Sequence, residues 1–363
     1  MRIGQIIEAL EQWAPPSLQE SYDNSGLIVG NTNWESTGVL VALDCLESVV
    51  DEAIAKNINL IVAHHPIVFS GLKRFNGRSY IERVVMKAIK HDVAIYAIHT
   101  NLDNVLWGVN AKVMEVLGIP NHAILSPMKD ALKKFEVYVP TEHVEVLEQA
   151  IFEAGGGKVS AYEECSFRTE GVGSFKGTAG TQPVIGEVGK REFVQETKLE
   201  FIVPAYAAYA VERAARAAHP YEEMAYQWLA VGNTATHFGA GAVGELPAEL
   251  GFEDFLKKVK AAFGTTIRYT TPAGEIVKKV AVCGGSGSFL LGAAMASGAD
   301  VFITADYKYH QFFDADGKIS ILDVGHFESE QFTIDLIADF IEKNFPKFAV
   351  LKTEVNTNPI QYY

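Results

Sequence analysis

Apolar positions in the first third of the chain alternate between two rhythms. The run "GVLVALD" at 38–44 is β-branched and closes on Asp44; "SVVDEAIAKNI" follows with apolar residues at helical spacing, and "LIVAHH" at 60–65 is apolar again. Strand, helix and strand within about thirty residues predict a βαβ unit, and hence a parallel sheet covered on both faces. "YIERVVMKAIKHD" and "VAIYAIHTNLD" repeat the helix-then-strand order. The rhythm returns late in the chain, in "VKKVAVCGGSGS" (277–288), "FLLGAAMASG", "ADVFITADYKYH", "ISILDVGHFESE" and the amphipathic "FTIDLIADFIEKNF". An Ala-rich helix, a short turn, an apolar strand and then polar residues occur in both "DEAIAKNINLIVAHH" and "GAAMASGADVFITAD". The two halves read as variants of one design, an internal duplication.

The middle of the chain has a different pattern. "KKFEVYVP" (133–140) and "LEFIVP" (199–204) alternate as strands, and each leads into a helical stretch, "EHVEVLEQAIFEAGG" and "AAYAVERAARAAHP". The Gly-rich "VSAYEECSFRTEGVGSFKG" between them reads as a hairpin region. Strand, helix, two strands, helix, strand is the split βαβ, ferredoxin-like order. The fold class expected is α/β: a discontinuous domain at 1–127 and 236–363, interrupted by a ferredoxin-like α+β insert at 128–235.

In a parallel α/β sheet, ligands bind beyond the carboxyl ends of the strands. There "LIVA" delivers His64 and His65, "AIYAI" delivers His99 with Asp103 four residues on, "DVFIT" delivers Asp306, and "SILDVG" delivers His326 with Glu330 four residues beyond. If the chain turns helical after Gly325, His326 and Glu330 share one face and converge on a point. His99 and Asp103 can do the same, or be presented from a loop. Adjacent His64 and His65 diverge while the backbone stays extended, so they suit two neighbouring sites better than one. Imidazole and carboxylate without thiolate suit Zn, Mn, Fe or Ni, and a bridging carboxylate suits two ions about 3.5–4 Å apart. Against this stands the ordinary reading of each histidine alone, a packed, hydrogen-bonded core residue.

"CGGSGS" (283–288) lies between a strand and a helix, where it serves either as a tight turn or as an anion or substrate contact, with Ser286 as a supporting residue. It lacks the Lys-Ser/Thr of a Walker loop. Tyr307, Lys308 and His310 read as a surface loop or a pocket lining, and Glu222 and Glu223 as surface or assembly contacts of the insert.

The chain carries 31 Lys and Arg against 45 Asp and Glu, a formal charge of −14, which disfavours binding to nucleic-acid phosphates. Three widely spaced cysteines propose neither a disulfide framework nor a thiolate zinc site. No signal-peptide pattern and no run of roughly 18 apolar residues is present, so the expectation is a cytoplasmic protein without a membrane partner.

"WAPPSLQESYDNSGLIVG", "AHHP", "HTNLD", "CGGSGS", "ADVFITADYKYH" and "DVGHFESE", in that order, resemble the NIF-three-like family, also called the GTP cyclohydrolase I type 2 homologue family. The likeness spans essentially the whole chain, with Tyr22 where the family usually has Trp and Met224 where it often has Pro. It implies a duplicated α/β fold and two divalent ions per subunit, zinc first, with iron, manganese or nickel as alternatives. Carried over residue by residue, the ligands fall on His64, His65, Asp103, His326 and Glu330. Glu330 is then the bridge and the catalytic residue, and His99 and Asp306 have supporting roles. The resemblance further implies a homohexamer and a PII- or CutA-like insert. The function expected is hydrolysis of a small molecule by metal-activated water; the alternative is a non-catalytic metal- or nucleotide-binding regulator or scaffold in a toroidal assembly.

Overall fold

A computed structural model describes residues 1–159 and 162–363; Ser160 and Ala161, within the segment expected to form a hairpin, lie outside the described residues. The chain divides into two compact units, Met1–Pro127 with Thr236–Tyr363, and Met128–Ala235.

The first unit contains two sheets. One is built from β1 (Gly26–Val29), β2 (Val39–Ala42), β3 (Leu60–Ala63), β4 (Ala94–Ala97) and, from the end of the chain, β15 (Val350–Lys352). Its spatial order is β1-β4-β3-β2-β15. Every residue of β2, β3 and β4 is buried, as their unbroken apolar runs require when helices cover both faces of a parallel sheet. Helices Glu47–Ala55 and Tyr80–Lys90 supply one cover, placing Val49, Val50, Val84 and Ala88 against Ile61 and Ile95. Ser79 caps the second of these, its side chain accepting from the Glu82 amide.

The other sheet contains β5 (His122–Pro127), β10 (Gly239–Gly251), β11 (Arg268–Tyr269), β12 (Ile276–Ser286), β13 (Val301–Ala305) and β14 (Ser320–Asp323), in the order β11-β14-β13-β12-β10-β5. Helix Phe252–Phe263 packs Phe255, Val259 and Phe263 against Val280, Ile303 and Leu322. The two sheets share a four-strand plan. In each, three parallel strands run side by side in chain order, and a short strand that precedes them in sequence pairs antiparallel with the third: β1 with β4, and β11 with β14.

The second unit contains β6 (Leu132–Pro140), β7 (Phe167–Lys176), β8 (Arg191–Pro204) and β9 (Tyr226–Ala230), all pairings antiparallel, in the order β7-β8-β6-β9. Helices Val144–Glu153 and Ala208–Ala218 lie between β6 and β7 and between β8 and β9, so chain order and strand order follow the split βαβ pattern. Phe135, Val137, Leu199 and Phe201 meet Leu147, Ile151 and Val211 in its separate core. Among the described residues no helix is long and apolar enough to cross a membrane.

Candidate metal centre

The parallel strands of both sheets in the first unit end around one cavity of about 680 Å³. His65, Asp103, His326 and Glu330 line it, together with the exposed aromatics Tyr22, Phe69, Tyr80 and Phe289.

His64 and His65 follow β3 directly. Strand pairing stops at Ala63 and the chain bends at both histidines. The divergence expected of an extended backbone is therefore not observed: the two rings lie 5.0 Å apart at 46°. After β4 the chain enters a single helical turn, Thr100–Asp103, with His99 at its N-cap. After β14, Gly325 takes φ 91°, a conformation in which a Cβ would overlap Glu328, and starts the helix His326–Glu330. One turn then brings His326 Nε2 to 3.1 Å from Glu330 Oε2.

Glu330 is 3% exposed and is the hub of the cluster. Its Oε2 is 2.9 Å from His65 Nε2, and the Nε2 atoms of His65 and His326 are 3.4 Å apart. Its Oε1 lies 4.0 Å from His64 Nε2, which is in turn 3.7 Å from Asp103 Oδ1. Donor atoms of His65, His326 and Glu330 fall within 4.8 Å of one another, as do those of His64, His65 and His99. His99, expected in a support role, thus stands within the second donor group.

The outward-facing nitrogens explain why the inward ones converge. His64 Nδ1 pairs with Ile98 O at 2.8 Å, His65 Nδ1 with Asp44 Oδ1 at 2.8 Å, His99 Nδ1 with Asp23 Oδ1 at 2.7 Å, and His326 Nδ1 with Asp306 Oδ2 at 2.7 Å. Each acceptor fixes the proton on Nδ1 and leaves Nε2 for an electrophile, the arrangement usual around metal-bound histidine. Asp306 reaches His326 because it adopts φ 58°, a left-handed turn that Asp tolerates. It therefore sits behind His326, in a supporting role.

Buried charge sets the electrostatics. Burial drives His64 down to about 3, so it is neutral. Burial also opposes the charged form of His65, but hydrogen bonds to Asp44 and Glu330 outweigh it and raise the group to about 9. His326 rises to about 11 against the same opposition, through Asp306 and Glu330. Glu330 resists its burial and stays well below the ordinary carboxylate range because both imidazoles bond to it. Asp103 moves the other way: burial, aided by the Glu330 charge, holds it well above that range.

Two buried atoms in the cluster, His64 Nε2 and Asp103 Oδ1, have no hydrogen-bond partner among the described residues. Such orphans are costly in a protein interior. At 3.7 Å they are too far apart to bond to each other and well placed to share a cation. The nitrogen and oxygen donors suit a divalent transition metal, and the residues present fit such an ion.

"CGGSGS" serves this cluster differently from either expectation alone. Its first four residues complete β12 and only Gly287 and Ser288 lead into the turn Ser288–Leu290, while the amides that would cradle an anion are already bonded: Gly284 N to Asn110 Oδ1, Gly285 N to Ser329 Oγ and Gly287 N to Thr304 Oγ1. Gly285, at φ 61°, packs against Glu330 so closely that a Cβ would overlap Oε1. Ser286 lines the cavity. Tyr307 is buried in a neighbouring core cluster and lines no part of the cavity, while His310 is exposed beside Tyr309 and Phe313.

Asp44 and Asp23 are the site residues that the reading of the sequence left out. Asp44 stands just past the end of β2, where the rule applied to the other strands would have found it. Asp23 precedes an antiparallel strand, where that rule gives no signal.

The chain matches the Duf34/NIF3 (NGG1p interacting factor 3) family over residues 1–359. It is 39% identical over 365 residues to the "GTP cyclohydrolase 1 type 2 homolog" of Bacillus subtilis (strain 168), covering 99% of this chain and 98% of that one. Its identity to the protein of the same name from Staphylococcus aureus (strain COL) is 33%, with both chains covered completely. Among solved structures, a Bacillus cereus protein related to NIF3 superposes with a TM-score of 0.84 at 34% identity, covering 100% of this chain and 99% of the other. A Staphylococcus aureus protein, SA1388, superposes at 0.78 with 31% identity and the same coverage. With the ordered motifs, the fold and near-complete coverage in agreement, the chain belongs to the Duf34/NIF3 family.

Proposed function

We propose that this protein is a metal-dependent hydrolase whose centre takes two divalent ions, zinc first, on His64, His65, Asp103, His326 and Glu330. One observation carries the reading: Glu330 directs Oε2 to His65 and His326 and Oε1 toward His64, so one buried carboxylate faces both donor groups. Bound there, such ions supply Lewis acidity and hydroxide at neutral pH. The chain's own part is orientation and enclosure. Asp44, Asp23 and Asp306 hold the imidazoles, and Gly284 and Gly285 near the end of β12 leave room for Glu330. The aromatic side chains around the cavity give a flat substrate apolar surface.

Protein purified without chelator or an affinity metal is expected to contain two equivalents of metal by elemental analysis. It should also hydrolyse at least one member of a panel of nucleotides, phosphoesters and amides, with GTP tested first because of the relatives' name. His326→Ala should abolish turnover while the metal-free variant stays folded. The separate core of the second unit favours one other reading, a regulator assembled as a homohexamer, in which the insert binds an effector and the centre does no chemistry. If His326→Ala changes metal content and thermal stability but no reaction is found for the loaded wild type, the hydrolase reading falls and the regulator stands.

A further inference from the structure

The segment that follows β15 has no regular secondary structure, yet several anchors hold it. Thr353 N donates to Val41 O at 2.9 Å and Glu354 N to Glu52 Oε1 at 3.0 Å, which ties its start to the first sheet and the helix behind it. Asn358 Nδ2 then donates to Glu328 Oε1 at 3.0 Å, on the helix that carries His326 and Glu330. Asn358, Pro359 and Ile360 form part of the cavity wall. Between these anchors Thr357 is 6% exposed, and its hydroxyl donates to Asp44 Oδ2 at 2.7 Å. The other oxygen of Asp44 accepts from His65 Nδ1.

From this we infer that Thr357 is a positioning residue of the metal centre, acting through Asp44 on His65. The inference rests on the reading that His65 binds an ion. An aspartate side chain rotates broadly about its last bond, so a single hydrogen bond does not fix the plane of the carboxylate. The three aspartates behind the histidines differ in how that freedom is removed. Asp23, its side chain enclosed, receives Thr100 N, Thr100 Oγ1 and Ser25 Oγ from residues near it or its histidine. Asp306 is 48% exposed, and its backbone turn places it. Asp44, 31% exposed, obtains its second bond from Thr357, 313 positions along the chain. A threonine hydroxyl buried in an irregular segment is costly unless bonded, and here its partner is the carboxylate that aims His65. The segment therefore closes a wall of the cavity and fixes a ligand's orientation, linking the two halves that share the centre.

Thr357→Val removes the hydroxyl at nearly constant shape, and Thr357→Ser keeps it. Cobalt(II) or zinc titration of metal-free protein should show affinity about tenfold weaker in T357V, the size expected for loss of an outer-shell hydrogen bond, and near wild type in T357S. In the same metal-free samples, the proton NMR signal of the His65 Nδ1–H should broaden through faster exchange in T357V and persist in T357S. Wild-type affinity and an unchanged signal in T357V would overturn the inference, as would equal losses in both variants. If the wild type takes up no metal, the hydrolase reading fails, and the imidazole signal alone decides the role of Thr357: broadening in T357V supports it, and persistence overturns it.

Discussion

The two halves of the first unit have the same strand plan and carry different cargo at corresponding strand ends. Past the third parallel strand, both start a short helix with a histidine and an acid four residues apart: His99 and Asp103 after β4, His326 and Glu330 after β14. Past the second strand, the first half presents His64 and His65 and the second presents Asp306. At the end of the first strand, Asp44, just past β2, corresponds to Gly284 and Gly285, in the irregular last residues of β12. Both halves thus offer donors at the third strand end, donors in one half face a support in the other at the second, and a support faces empty space at the first. Asp306 braces His326, and the glycines admit Glu330 between the imidazoles. The shared topology determines where side chains arrive. The centre becomes possible because the halves diverged in size and charge, leaving one buried carboxylate among imidazoles from both sides.

Removing that carboxylate should be the most severe break. In metal-free protein at pH 6, His65 and His326 are both charged and both bonded to Glu330. Glu330→Gln takes away the anion to which both imidazolium groups bond, where their Nε2 atoms lie 3.4 Å apart. Breaking a buried ion pair in this way costs about 3–5 kcal/mol. Urea unfolding in chelator at pH 6 should show a loss of that order, and metal uptake should vanish. A stability loss below about 1 kcal/mol would show that the halves do not depend on this carboxylate.

Much of this arrangement is legible in the chain. Fully buried strands such as β2, β3, β4 and β13 announce themselves as unbroken apolar runs, and the α/β class follows from their alternation with helices. His326 and Glu330 are readable because one helical turn relates them. Short edge strands such as β11, two residues long, are not, since pairing with β14 alone makes them strands. The supports are silent for another reason. Asp44 is 21 residues from His65, Asp23 is 76 from His99, and Thr357 is 313 from Asp44, separations that no local period spans. The bend at His64 and His65 also escapes, because it depends on what their Nδ1 atoms find across the fold.

Alkaline pH separates the halves more gently. The folded-state values of His65 and His326 lie above the unfolded value of about 6.5, so their contribution to stability is complete below that pH. For His65 it is lost as pH rises through about 9, and for His326 through about 11. The low value of His64 works in reverse: its contribution is complete above about 6.5 and declines as pH falls toward 3. In chelator, the unfolding free energy from urea titrations should therefore fall from pH 7 to 10, by no more than about 1.4 kcal/mol per pH unit for each proton released. His65→Gln should remove the limb centred near 9 and leave the one approaching 11. Loss of both limbs in that single variant would mean that the two histidines titrate as one group rather than one from each half.

The finest distinction concerns the supports themselves. Asp44 and Asp306 perform the same task from opposite halves, each accepting from the Nδ1 of a histidine that faces Glu330. Removing such a partner weakens metal binding about 10- to 100-fold. They should not fall at the same point of that range. Asp44 is the more enclosed, at 31% against 48% exposure, and Thr357 holds its second oxygen, so water replaces it less readily. Asp306 faces solvent that can take over the Nδ1 proton when the carboxylate becomes an amide. Zinc competition titrations should place Asp44→Asn near the upper end of the range and Asp306→Asn near the lower. The reverse order would show that the left-handed turn at Asp306, and not enclosure, gives a support its strength, because that turn fixes the carboxylate before any second bond forms.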